Sequence, residues 1–282
     1  MTTSTAIDSK YFFLTHSTGK THYYRVGPEN GPIVVMVSGA TLPMAVWKPL
    51  VTPLVDSGFQ IVLYDLPGRG HTPLEGQGVS FQAHLDQLHS LIDGLEIRQP
   101  IHLIGLASGA LIVAAYTEKY RAQVSHICLI APDGASTHFT FKERMLSTPI
   151  LGKFLIKFTA KRTLFARVPR YSRREDIQNY VRNLLDFSIR CPGFNEAVLA
   201  TIRTFPLHHG EGLYQRLAKL QVPTSIIWGS DDYITPPDAT DSLLAIFGED
   251  ALHTLQNVGH LPFAEDPLTV ATIIENHFRG TY

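Results

Sequence analysis

The stretch Leu103–Tyr116, LIGLASGALIVAAY, has the pattern of a strand that runs through a glycine-tight turn into an apolar helix. A turn of this kind holds a nucleophile at its apex, in a strained backbone conformation. The residues two before and two after the apex must be small, or they clash. Gly105 and Gly109 fill those places, and the residue between them is Ala107. Ser108 cannot serve as the apex, because its flanking residues would then be Leu106 and Ala110, and Leu106 is too large. Ser108 therefore opens the helix, with its backbone N–H aimed back across the turn. A methyl group stands where a reactive atom belongs.

Such a turn needs a sheet behind it, and the chain supplies one. Short apolar runs alternate with helical patterns, which predicts a mostly parallel sheet covered by helices. KYFFLT and THYYRV, joined by a turn around Gly19, read as an opening hairpin. PIVVMVS (32–38), FQIVLYD (59–65), PIHLIGL (100–106) and VSHICLIAP (124–132) read as buried parallel strands. TSIIWGS (224–230) and ALHTLQNV (251–258) complete a set of about eight. Helical patterns lie near 43–57, 80–95, 108–120, 236–247 and 267–279. Residues 139–206 break the alternation, being too long for a loop and helical in several pieces. They hold 13 Lys or Arg against 5 Asp or Glu, whereas the whole chain has a net charge of -1. The expected organisation is a core domain from 1–138 and 207–282, with a basic helical cap inserted over 139–206.

With 282 residues, 44% apolar and 17% charged, the chain has material for one large core. Its charge balance gives no reason to expect a nucleic-acid partner. Cys128 and Cys191 have no paired spacing, which argues against a disulfide framework or a zinc site and fits a reducing compartment. The start MTTSTAIDSKYFFLTH lacks the pattern of a signal peptide. No apolar run approaches the length of a membrane span. The expectation is a cytoplasmic protein with no metal and no cofactor.

Four segments, in order, resemble the α/β-hydrolase superfamily along nearly the whole chain. VSGATLPMAVW (37–47) resembles the loop that carries half of an oxyanion hole, with Ser38-Gly39 in place of the usual His-Gly. YDLPGRGHT (64–72) resembles the D-x-x-G-x-G-x-S turn, with Thr72 for the Ser. IIWGSDDYITPP (226–237) resembles the segment of the triad acid, and NVGHLPFAEDP (257–267) that of the triad histidine. The resemblance implies Asp232 as the acid and His260 as the base, with Asp231 a rival acid by position and Asp133 the alternative site used by some relatives. It implies the N–H groups of Ala40 and Ser108 as the oxyanion hole. The chemistry is consistent with these roles. A hydroxyl or thiol is a poor nucleophile until a base removes its proton, and that base needs a carboxylate to fix its tautomer.

Three accounts of Ala107 stand open. The alanine replaces a serine or cysteine and disarms an acyl hydrolase or acyl transferase; or the chain is a non-catalytic relative that binds a small ligand; or the His260–Asp232 pair works alone in elimination, cyclisation or condensation. The intact acid, base and oxyanion loop favour the first. The codon at 107 in the native gene separates it from the others. The GLASGA turn resembles elbows of fungal polyketide lactonases and trans-acting thioesterase-like enzymes. A small-molecule acyl substrate is therefore expected, delivered by an acyl carrier protein or coenzyme A if the basic cap is a docking surface. On that reading Arg173 and Arg174 are the cations to reverse. His71 is read as decoration of a surface turn, Trp47 and Cys128 as core, and His208 and His209 as solvated.

Overall fold

Alternation along the strands decides the layers. The computed structural model describes residues 11–16, 19–74, 80–135, 141–235 and 239–281, with only the backbone described at 141–143 and 239. The strands β1 (Tyr11–His16) and β2 (Gly19–Val26) form the antiparallel hairpin that the turn around Gly19 predicts. In β3 (Ile33–Val37) every residue is buried. Val34 and Met36 face one apolar cluster, and Ile33, Val35 and Val37 face another. Successive side chains of a strand point to opposite faces, so a continuous apolar run requires cover on both.

That cover comes from the helices that follow each strand. Pro49 at the start of α1 (Lys48–Asp56) needs no N–H there, and Leu50 and Leu54, one turn apart, are buried against the face of Val34. After β4 (Gln60–Tyr64) comes α2 (Phe81–Gly94), whose first turn is capped by Ser80 accepting from the Ala83 N–H at 3.1 Å. It buries Leu85, Leu88 and Leu91 on the face of Val35. The strand β5 (Ile101–Leu106) leads into α3 (Ser108–Lys119), buried along nearly its whole length. β6 (Val124–Ile130) follows.

Residues after β6 leave the sheet and form α4 (Phe141–Ser147), α5 (Pro149–Ala166), α6 (Glu175–Ile189) and α7 (Phe194–Thr204). The expected start of the insertion, at 139, lies outside the described residues. Its expected end at 206 falls two residues past α7. Buried residues of these helices, among them Ile156, Leu164, Val181, Leu185 and Val198, join the cluster on the Val34 face. The chain then returns through α8 (Glu211–Lys219), β7 (Thr224–Gly229), α9 (Ala239–Phe247), β8 (Leu252–Leu255), α10 (Pro262–Glu265) and α11 (Pro267–Arg279).

The sheet order is β1-β2-β4-β3-β5-β6-β7-β8, antiparallel only at β1/β2 and β2/β4. Among the described residues the sheet has eight strands and is mostly parallel, as the alternation of the sequence predicts. β5 lies at its centre. The ends of β5 and β7 and the loop after β8 therefore converge at one edge, where ligands bind in open parallel sheets.

A histidine cluster closes the opposite part of the core. The His102 ring lies 5.1 Å from that of His126 and stacks on Phe278 at 4.4 Å, and His126 meets His277 at 5.4 Å. Burial lowers His102 and His277 to about 4 each. The unfolded chain takes up these protons near pH 6.5 and the folded chain only near pH 4. Their contribution to stability is thus complete above pH 6.5 and lost as the pH falls towards 4. Thermal unfolding followed between pH 7 and 4 will show the midpoint falling across that window, and His102→Phe will flatten the fall.

Candidate active site

The turn after β5 carries a strained backbone at that edge of the sheet. Ala107 has φ 48° and ψ −117°, a region that costs a residue with a Cβ roughly 1–3 kcal/mol. Three hydrogen bonds hold it there. The Ala107 N–H donates to the Ile130 carbonyl at 3.0 Å, and its own carbonyl accepts from the N–H groups of Ala110 at 3.0 Å and Asp133 at 3.2 Å. The flanking glycines are required by close approach. A Cβ on Gly105 would lie 2.7 Å from the Ala110 backbone, and one on Gly109 would lie 2.4 Å from the Val37 carbonyl. The Ala107 methyl keeps a narrow opening, the residue being 8% exposed.

The loop after β3 lies alongside. A Cβ built on Gly39 would come within 3.5 Å of the Ala107 methyl. Among the described residues, neither the Ala40 nor the Ser108 N–H donates to another group, so both remain available beside the apex. Ser38 is buried with its hydroxyl unpartnered, as is the hydroxyl of Ser108. What fixes this loop is Arg69. Its fully buried guanidinium donates to the carbonyls of Ala40 (2.9 Å) and Pro67 (2.8 Å). It also reaches α7, at the Ala197 carbonyl (3.2 Å) and the Thr201 hydroxyl (2.7 Å). No carboxylate pairs with it among the described residues, and burial lowers its pKa to about 9.

His260 and Asp232 meet in the loops after β8 and β7. Nδ1 of His260 lies 2.8 Å from Oδ2 of Asp232, and both residues are buried. The other carboxylate oxygen of Asp232 accepts from the N–H groups of Ile234 (2.8 Å) and Thr235 (2.9 Å). The carboxylate is thereby oriented, and the imidazole is left to present Nε2. Asp231 instead pairs with Arg173 at 3.1 Å and does not partner the histidine. Asp133 sits close by, held to the apex through its N–H and to Thr235 through a 3.4 Å contact with that hydroxyl. Desolvation is the main cause that pushes its carboxyl up to about 6, and the nearby His260 works against it.

Tyr171, just before α6, joins the parts. Its carbonyl accepts from the His260 N–H at 2.8 Å, and its ring stands edge-on to the imidazole at 5.3 Å. Its hydroxyl lies close to Thr41, the neighbour of Ala40. Tyr180 of α6 adds a donor to the carbonyls of Ala45 (2.7 Å) and Val46 (3.1 Å) in the same loop. Motif reading names neither tyrosine, nor Arg69. Tyr171 and Tyr180 lie in the insertion with no patterned neighbours, and Arg69 hides inside the glycine turn 64–72.

Several lesser expectations meet their structural counterparts. Trp47 is buried against Phe263 at 4.6 Å, and Cys128 is buried in β6. Cys191 is half-buried and donates to the Gly70 carbonyl at 2.9 Å. His71 is exposed but packs edge-on against His22 at 4.8 Å. Arg173 and Arg174 are exposed, and each holds a carboxylate. The first holds Asp231 and the Tyr233 hydroxyl, the second Asp176 and the Glu265 carbonyl. Among the described residues, no group of three His, Cys, Asp or Glu is placed to hold a metal ion, and no helix is long and apolar enough to cross a membrane.

Comparison with known proteins agrees with this architecture. The model of the family described as Alpha/beta hydrolase family matches residues 34–273. Monoacylglycerol lipase ABHD6 of Homo sapiens is 25% identical over 260 residues, covering 89% of this chain and 76% of that one. A 2-hydroxy-6-oxononadienedioate/2-hydroxy-6-oxononatrienedioate hydrolase of Pseudomonas putida is 26% identical, covering 85% and 84%. A meta-cleavage product hydrolase from Pseudomonas fluorescens, solved as a serine-to-alanine mutant complexed with acetates, superposes with a TM-score of 0.76. It is 19% identical and covers 96% of this chain and 98% of its own. An esterase from Thermogutta terrifontis gives 0.78 at 20% identity, covering 96% and 98%. Both structural likenesses bear on the fold alone.

Removing the Arg69 fork leaves buried carbonyls without donors, each costing about 1–3 kcal/mol. Arg69→Leu is expected to lower unfolding stability in urea by about 3 kcal/mol or more, and Arg69→Lys to recover only part of it.

Proposed function

The chain belongs to the alpha/beta hydrolase family, and from that premise we propose that its elbow is an acyl-transfer site whose nucleophile seat is filled by Ala107. The supporting observation is the strained backbone itself. A φ of 48° at an alanine contributes nothing to packing, and glycine would adopt it at less cost. Such strain has a use when the apex side chain must project towards a base and two amides. In this reading Asp232 and His260 are the acid and base, and Ala40 and Ser108 form the oxyanion hole.

The chemistry follows from the positions. With a serine or cysteine at 107, Nε2 of His260 takes its proton as the side chain attacks the acyl carbon. The carbonyl π electrons move to oxygen, where the Ala40 and Ser108 amides bind the charge. Collapse breaks the bond to the leaving group, which takes the proton from His260. Water or an alcohol then reverses the sequence and frees the acyl group. As it stands, the chain lacks the attacking atom, and removing a triad nucleophile costs roughly a million-fold in turnover. An ester, thioester or lactone with an apolar acyl portion fits best. Helices α4–α7 read as the cap, and Leu164, Val198 and Leu199 from them share an apolar cluster with Ala107. The ester named in monoacylglycerol lipase, a relative, is of this class. Delivery on a carrier would use Arg173 and Arg174, which are exposed although each also holds a carboxylate.

A second reading has its own observation. Asp133, with a carboxyl near 6, stands beside His260 and the apex. A carboxyl and an imidazole beside the apex suit proton transfer without a covalent intermediate.

Two variants test the first reading. Ala107→Ser or Ala107→Cys is expected to raise hydrolysis of short p-nitrophenyl esters or acyl thioesters by at least about 10⁴-fold, and adding His260→Gln to return it to the parent's level. If neither variant turns over any acyl substrate, the acyl-transfer reading fails. Separately, Ala107→Gly is expected to raise the stability of the parent by up to about 1 kcal/mol in urea unfolding, through relief of backbone strain.

A further inference from the structure

Helix α5 is apolar on two opposite faces. Gly152, Ile156, Ala160 and Leu164 are buried and form the face that packs inwards, against α4, α6 and α7. With 3.6 residues per turn, Ile150, Leu151, Phe154 and Phe158 fall within a stripe of roughly 100° on the other side. They are exposed by 87%, 43%, 64% and 66%. A single exposed apolar residue needs no explanation, but four adjoining large ones do.

The charges on α5 are arranged around that stripe. Lys153 and Lys157 border one edge and Arg162 the other, and Lys161, 3.8 Å from Asp186, follows one turn after Phe158; all four are exposed. The helix contains no acidic residue. Side chains this exposed form a protruding ridge and not a groove, so they have little to offer a partner's side chain as a pocket. A ridge of Ile, Leu and Phe can instead sink into a fluid acyl layer while flanking ammonium and guanidinium groups stay at headgroup level. Lysines near an anionic surface add electrostatic attraction.

We infer that α5 docks the protein on an anionic lipid surface, through the Ile150–Phe158 ridge and its flanking cations. This surface is separate from the elbow, and the inference does not depend on the acyl-transfer reading. The position of α5 in the cap also sets the lipid surface close to the helices that cover Ala107.

The test uses the full chain without any substrate, so its outcome is independent of turnover. The protein is sedimented with vesicles of phosphatidylcholine alone and of phosphatidylcholine containing a third of phosphatidylglycerol. Binding to the anionic vesicles is expected to be at least about tenfold tighter. Phe154→Ser/Phe158→Ser and Lys153→Glu/Lys157→Glu should each remove most of that binding and leave the thermal midpoint unchanged, since all four side chains already face solvent. The inference is overturned if the parent stays in the supernatant with both vesicles, or if the variants sediment as the parent does. It is also overturned if the ridge retains a purified acidic carrier protein and ignores lipid, or if it holds a dimer that Phe154→Ser/Phe158→Ser dissociates.

Discussion

Everything at the candidate site depends on one backbone turn. The chain leaves β5 at Leu106 and must enter α3 two residues later, on a path that only a positive φ at Ala107 allows. The turn is over-determined. The Ile130 carbonyl holds the apex from one side, the Ala110 and Asp133 amides hold it from the other, and two glycines let backbone pass within contact distance. Strain of this kind persists where surrounding structure compels it. It carries the first residue of α3, with its unpartnered N–H, to the edge where the loop after β3 arrives.

A second set of constraints ties this edge to the inserted helices. Arg69 grips the Ala40 carbonyl and α7 with one planar group, and Tyr171 touches the His260 loop and Thr41 together. The position of α7 and that of the loop after β3 are thus coupled by hydrogen bonds that cannot be exchanged for water, because the guanidinium is wholly buried. A displacement of α7 would leave that cation and the Ala40 carbonyl unsatisfied at once, which is costly in a low-dielectric interior. Helices α4–α7 are in this sense tied to the candidate site and not merely laid over it.

The same helices divide their charge unequally. The arginines before α6 are engaged with Asp231 and Asp176, and they stabilise the approach to the His260 loop. Of the α5 lysines, Lys161 lies 3.8 Å from Asp186, whereas Lys153 and Lys157 are exposed beside the apolar ridge.

The sequence by itself determined the sheet, its helices and the spacing of the elbow. Strand runs such as PIVVMVS and PIHLIGL are apolar at every position, and only burial on both faces satisfies that pattern. Gly105 and Gly109 mark the apex for a similarly local reason, steric exclusion two residues away. Asp232, His260 and Ala40 were legible only through the likeness of their segments to a family. Their meeting, at 2.8 Å between the acid and the imidazole, comes from where β7 and β8 lie beside β5. Tertiary structure alone decided that Asp231 turns to Arg173, that Arg69 bridges loop and cap, that Tyr171 reaches the histidine, and which apolar face of α5 is left outside. The physical reason is range. Periodicity and steric size act over a few residues and are written in the chain, whereas a hydrogen bond such as that between Arg69 and Thr201 joins residues 132 apart and exists only once the packing has brought them together.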